Sequence, residues 1–154
     1  MQIKLLIDGQ LAAGAGAEVE VLNPATGEAI AKIREASPDQ INQAVEAAGR
    51  AYQSWGSTTP QERSLLLLKL ADRIEQDAKG YADLESLNCG KPRARALGDE
   101  IPAIVDSFRY FAGAARCLHG SATDEYLPNH TSMIRRDPVG VVAPPVTANW
   151  TVNG

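Results

Sequence analysis

Few residues in this chain have the capacity for chemistry: Cys89 and Cys117, His119 and His130, the adjacent cations Arg135-Arg136, and the small glycine cluster Gly14 and Gly16. A cysteine nucleophile needs a thiolate, stabilised by a helix N-terminus or a neighbouring base. In "LNCGKP" Cys89 falls instead near the end of a helical run, where the helix dipole raises a thiol pKa, and neither histidine is nearby in sequence. A structural or incidental thiol is the stronger reading. His119 and His130 have no acidic or cysteine partner at metal-ligand spacing and read as surface or capping residues. Arg135-Arg136 stands beside Asp137; a grip on an anion is one reading, and a solvated or subunit-facing strand with a local ion pair is the stronger one. "GAGAEV", from Gly14, leads into a strand rather than into a helix whose N-terminus would hold a phosphate. It reads as a glycine-rich turn.

The elements that would position these residues are well signalled. "IKLLIDGQLAA" sets Asp8-Gly9 between two apolar runs, a hairpin signal because the tight turn needs positive φ. "EVEVLNPATGEAIAKI" repeats the arrangement, with turn residues from Asn23 to Gly27. Four short antiparallel strands therefore precede any helix. Ser37, Pro38 and Gln40 form a capping box that opens a helix with Ile41, Val45, Ala48, Tyr52 and Trp55 on one face, ending at Gly56. Thr59, Pro60 and Glu62 repeat the device. They open one long helix through Leu67, Leu70, Ala71, Ile74, Ala78, Tyr81 and Leu84, stopped by Asn88, Gly90 and Pro92. A third helical region carries Ile101, Ile104, Val105, Phe108, Phe111, Ala112, Ala115 and Leu118 on one stripe up to Gly120, with Pro102 marking its first turn or a break. The Met, Phe and Trp residues sit at helical spacing and read as core. "TSMIRRDPVGVVA" then predicts two strand-like runs around a turn at Asp137-Pro138 and Gly140.

Composition sets the outer bounds. The 154 residues, 44% hydrophobic and 22% charged, suffice for one domain with a real core. A formal net charge of -4 argues against nucleic acid or an anionic membrane as a partner. The opening "MQIKLLIDGQ" has neither the cationic start nor the long apolar run of a secretion signal, so a cytoplasmic location is expected. Two cysteines are too few for a disulfide scaffold and match no CxxC metal pattern. The Asn129 and Asn149 sequons have no meaning as glycan sites without export.

Five blocks, "NPATGE", "WGSTTPQERSLLLLKLADRIE", "LESLNCGKP", "DEIPAIVDSFRYFAGAA" and "TSMIRRDPVGVVA", together resemble the aldehyde dehydrogenase superfamily, in its order and spacing from about Lys4 to Ala143. Within it the likeness is to the bacterial γ-aminobutyraldehyde dehydrogenase group of putrescine breakdown. The resemblance implies an α/β fold, of which this chain is an N-terminal fragment with antiparallel hairpins, three helical regions and a C-terminal strand pair. It implies an enzyme that uses NAD and a cysteine nucleophile to oxidise an aldehyde such as 4-aminobutanal to its acid. In such enzymes this portion supplies helices around the cofactor domain and part of an oligomerisation sheet.

The family's catalytic parts follow later: a Pro-Trp-Asn turn serving the oxyanion hole, the cofactor-contacting Lys and glycine-rich segment, the general-base Glu and the nucleophilic Cys. None maps onto this sequence. Asn149 before Trp150 has the right residue types in reverse order, and the role does not transfer. The expectation is therefore no catalytic residue, no cofactor-binding residue, no NAD bound by this chain alone, and no activity in isolation. Aldehyde and NAD are partners only of a complete enzyme; self-association or association with a full-length subunit is expected here, and a non-catalytic assembly module is the second reading.

Residues 1–143 read as the family's N-terminal portion and 144–154 as a tail outside its pattern, because Pro144-Pro145 removes two backbone donors where a central parallel strand needs them. Related dehydrogenases also hold a monovalent cation with backbone carbonyls at the position of Val21 and Leu22 and a carboxylate at the position of Asn88. The resemblance carries that role over weakly, since Asn88 offers an oxygen without charge, and a helix C-cap is the competing role.

Overall fold

The computed structural model of the protein describes residues 3–143. The expected tail at 144–154, with Asn149 and Trp150, lies outside the described residues.

Two hairpins begin the described chain. β1 (Leu5–Ile7) pairs antiparallel with β2 (Gln10–Ala12), in register Leu5 with Ala12 and Ile7 with Gln10. Asp8 and Gly9 turn between them with φ of 51° and 74°, the two positive values that a two-residue turn matched to strand twist requires. β3 (Glu18–Leu22) pairs with β4 (Ala29–Arg34), with a register shift between Val21 and Leu22. Their loop is held by Asn23, whose side-chain oxygen accepts from the Ala25 amide at 2.9 Å while its carbonyl accepts from Gly27 at 2.8 Å.

The glycine cluster has a steric purpose. A Cβ on Gly14 would lie 2.0 Å from the Arg34 carbonyl oxygen, so only glycine lets this loop close on the end of β4. The Gln40 side chain then fastens the loop to the next element. Its amide nitrogen donates to the Ala13 carbonyl at 2.8 Å, and its oxygen accepts from the Ala15 and Ser37 amides at 2.8 and 3.1 Å.

α1 (Pro38–Trp55) and α2 (Pro60–Gln76) both open with complete capping boxes, Ser37 with Gln40 and Thr59 with Glu62. The single long helix expected from residue 59 to the "NCGK" stop is two helices. α2 ends at Asp77, where φ of -110° and ψ of 29° leave the helical region, and α3 (Ala78–Cys89) restarts at once. The apolar spacing survives this break because no residue is inserted, so periodicity alone could not register it. Gly90, at φ of 70°, ends α3 in the left-handed conformation.

The third helical region starts earlier and ends earlier than expected. A short α4 (Arg93–Arg95) runs into a π-turn over Ala96–Glu100 and then into α5 (Ile101–Ala114). Pro102 supplies the reason: it has no N–H to donate, and one residue before it the Ile101 amide donates back to Ala96, a span of five residues that widens the turn. Leu118 lies beyond the helix and is exposed.

α5 packs on α2, and this contact holds the described core. Ala71, Ile101 and Val105 are buried there, with Ile74, Ala78, Ile104 and Phe108 packed against them. Arg109 of α5 crosses to α2, donating to both Glu75 oxygens at 2.6 and 3.3 Å and to Asp72 at 3.1 Å. The assignment of every Met, Phe and Trp to the core does not hold. Trp55 is 48% exposed, Phe111 60% and Met133 70%; among the described residues no layer covers these faces.

The strand pair near the end also differs in place. β5 (Ser121–Leu127) pairs with β6 (His130–Ile134) about a turn at Pro128-Asn129, where Asn129 has φ of 64°. The Asp137-Pro138 and Gly140 turn therefore does not join two strands, and no strand is formed among residues 135–143. Asn in the left-handed region after Pro is turn chemistry equal to that of Asp-Pro, and the sequence holds both.

Two substitutions test this account. Ile101→Ala should cost about 2–5 kcal/mol of stability by emptying part of the α2–α5 core. Gly14→Ala should cost about 1–3 kcal/mol by forcing the loop off β4. Both would be read as lowered urea midpoints; an unchanged midpoint in either case refutes the corresponding packing. The capping box gives a third test. The Glu62 carboxyl is held below its ordinary pKa by the backbone and side-chain hydrogen bonds of Thr59. A depressed folded-state pKa contributes stability present above the unfolded value and lost as pH falls through the folded one. The midpoint gap between the native chain and Glu62→Ala should therefore narrow on acidification.

Candidate functional site

The titratable side chains gather where α3 ends. Gly90 lets the chain reverse, and Lys91 just after it turns its ammonium between two helices. It bonds to the Glu100 carboxylate in the π-turn and lies 3.9 Å from Glu85 in the last turns of α3. The hydrogen bond that Lys91 donates to Glu100 holds the Lys91 pKa above its ordinary value. Arg93 similarly bonds back to Asp83. Lys91 is the functional-looking residue that sequence reasoning passed over, because its partner lies nine positions away, across a reversal and a π-turn.

Cys89 sits inside this cluster, half-buried, with the Asn88 side-chain nitrogen 3.8 Å from its sulfur. Burial pushes the thiol pKa up, and the Glu85 carboxylate adds to the push. Both effects favour the neutral thiol over the nucleophilic thiolate. Cys117 is exposed. His130 is exposed, with Nδ1 2.9 Å from the Pro128 carbonyl in its own turn, and His119 offers its backbone carbonyl to Arg136. Arg135 pairs locally with Asp137 at 2.8 Å. Among the described residues no group of three His, Cys, Asp or Glu side chains is placed to hold a metal ion.

The residues associated with a monovalent cation approach one another only indirectly. Val21 and Leu22 end β3, and Asn23 and Ala25 just beyond them share a cleft of about 400 Å³ with Ser86, Leu87 and Gly90, which flank Asn88. The backbone contact is close, since a Cβ on Gly90 would lie 2.9 Å from the Pro24 ring. Val21, Leu22 and Asn88 do not themselves line that cleft. Asn88 is exposed, and the helix cap is Gly90, so capping is not what Asn88 does.

A second feature is apolar. β1, α1 and the extended segment 141–143 line an open groove of about 360 Å³, with Leu6, Ile41, Val45 and Val142 among its walls. The Tyr52 hydroxyl donates to the Pro138 carbonyl at 3.1 Å and ties the segment to α1. Leu6, Ile41 and Val142 are all exposed.

The sequence pattern of the aldehyde dehydrogenase family matches residues 11–149 of the 154. The chain belongs to the aldehyde dehydrogenase family. It is 41% identical over 144 residues to a (Z)-2-((N-methylformamido)methylene)-5-hydroxybutyrolactone dehydrogenase of Acinetobacter baylyi, covering 92% of this chain and 29% of that protein. It is 38% identical over 128 residues to an acetaldehyde dehydrogenase of Pseudomonas aeruginosa, covering 83% of this chain and 25% of that one. Among solved structures it resembles PnpE in complex with nicotinamide adenine dinucleotide, with a TM-score of 0.78, 40% identity, and coverage of 81% of this chain and 26% of that chain. An aldehyde dehydrogenase of Bacillus cereus superposes with a TM-score of 0.83 at 37% identity, covering 90% and 29%. The chain thus spans between a quarter and a third of the length of these relatives, and the aldehyde dehydrogenase-like α/β fold is present in part. Among the described residues, no helix is long and apolar enough to cross a membrane.

The two thiols of this aldehyde dehydrogenase-family chain should react differently. Timed alkylation with iodoacetamide at neutral pH, read by mass spectrometry, should label Cys117 first. Cys89 should catch up only on alkalinisation or in denaturant, and equal native rates would contradict its placement beside Glu85.

Proposed function

We propose that these residues serve as the N-terminal scaffold of an NAD-dependent aldehyde dehydrogenase that oxidises an amino-aldehyde such as 4-aminobutanal to its acid. The observation that carries the scaffold role is the uncovered apolar surface on elements that are themselves well formed. α1 has a complete capping box and a helical stripe of Ile41, Val45, Tyr52 and Trp55, yet all four are exposed. A sequence that maintains such a stripe is built to be covered. The chemistry of the described site supports the other half of the reading, for burial and the Glu85 carboxylate raise the pKa of the half-buried Cys89 thiol and, among the described residues, no histidine is hydrogen-bonded to it. Nucleophile, general base and NAD site belong, in this reading, to sequence other than these residues. The amino-aldehyde substrate rests on the likeness of the five sequence blocks.

The same exposed faces favour a second reading, a non-catalytic module that adds its hairpins and helix faces to a full-length subunit or to another copy of itself. One measurement tests the inactivity that both readings share, and a second separates them. The purified 154-residue chain, incubated with NAD and 4-aminobutanal, should give no NADH; detectable turnover would overturn the scaffold proposal. Residues 1–143 grafted in place of the matching portion of the Acinetobacter relative should support NADH formation, whereas a dedicated assembly module would leave the chimera inactive. If that chimera gains no preference for 4-aminobutanal, these residues do not carry the substrate assignment.

Within the scaffold proposal, the Val21 and Leu22 carbonyls and the Asn88 side-chain oxygen contribute part of a monovalent-cation site. The meeting of the Asn23–Gly27 turn with the end of α3 supports it. A neutral amide binds a cation more weakly than a carboxylate, so Asn88→Asp should raise the melting temperature in sodium or potassium chloride relative to choline chloride. No salt-specific shift would remove this role.

A further inference from the structure

We draw no further inference here: the strongest candidate, the open apolar groove between α1, β1 and the 141–143 segment, carries nothing because nothing in the structure shows what covers it.

Discussion

α5 lies on α2 through Ala71, Ile101 and Val105, and the packing of α2 to α5 is built around that contact. It is a contact of small and medium side chains, and no large side chain among the described residues is fully buried. Burial contributes roughly 25 cal/mol per Å² of apolar surface, so a seam of this kind stabilises the helix pair without supplying a deep core. The Arg109 guanidinium, gripped by Asp72 and Glu75, sets the register of the two helices, but these side chains are largely exposed and their attraction is screened. The π-turn before α5 belongs to the same constraint. By absorbing the missing donor of Pro102, it allows one continuous helical path to turn Ile101 and Val105 toward α2 while Glu100 reaches Lys91.

Away from that seam, order is local. Each of the three hairpins is a separate two-stranded sheet, and isolated hairpins are marginal in water unless a face is packed. The first two are held by specific devices instead: a two-residue turn at Asp8-Gly9, an Asn23 side-chain turn, and the Gln40 amide that reaches back to the Ala13–Ala15 loop. These devices determine shape but bury little apolar area. The consequence is a chain with precise elements and bare faces, in which Trp55, Leu66, Met133 and Val142 meet solvent. It is this bare apolar surface that the scaffold reading rests on.

The cluster at the end of α3 shows how the surroundings of a reactive-looking residue can favour its neutral form. Cys89 follows Asn88 and precedes a left-handed glycine, placed where carbonyl dipoles point outward, beside the Glu85 carboxylate, and partly out of water. Burial and the Glu85 carboxylate oppose ionisation and outweigh the smaller opposite pulls of Lys91 and of the Asn88 side-chain hydrogen bond. Lys91 draws the thiol pKa down from nearby, but its hydrogen bond is given to Glu100 rather than to the thiol.

Local chemistry was legible in the sequence: the capping boxes at Ser37 and Thr59, the Asp8-Gly9 turn, the Gly90 stop, and the absence of a histidine near Cys89 in the chain all depend on residues within a few positions of one another. The five blocks that resemble the family were legible for the same reason, being contiguous. Tertiary structure alone decided the division of one expected helix at Asp77, which inserts nothing into the apolar period, and the hairpin turn at Pro128-Asn129, since two equivalent turn signals compete and only pairing selects between them. It alone decided which apolar stripes are buried, because a helix records that it has an apolar face but not whether a partner covers it. It alone gave Gly14 its meaning, an approach to the Arg34 carbonyl from twenty residues away, and Lys91 its partner across the π-turn. Neighbours along the chain dictate conformation through sterics and local hydrogen bonds, whereas burial and ion pairing depend on distances that exist only after the chain has closed on itself.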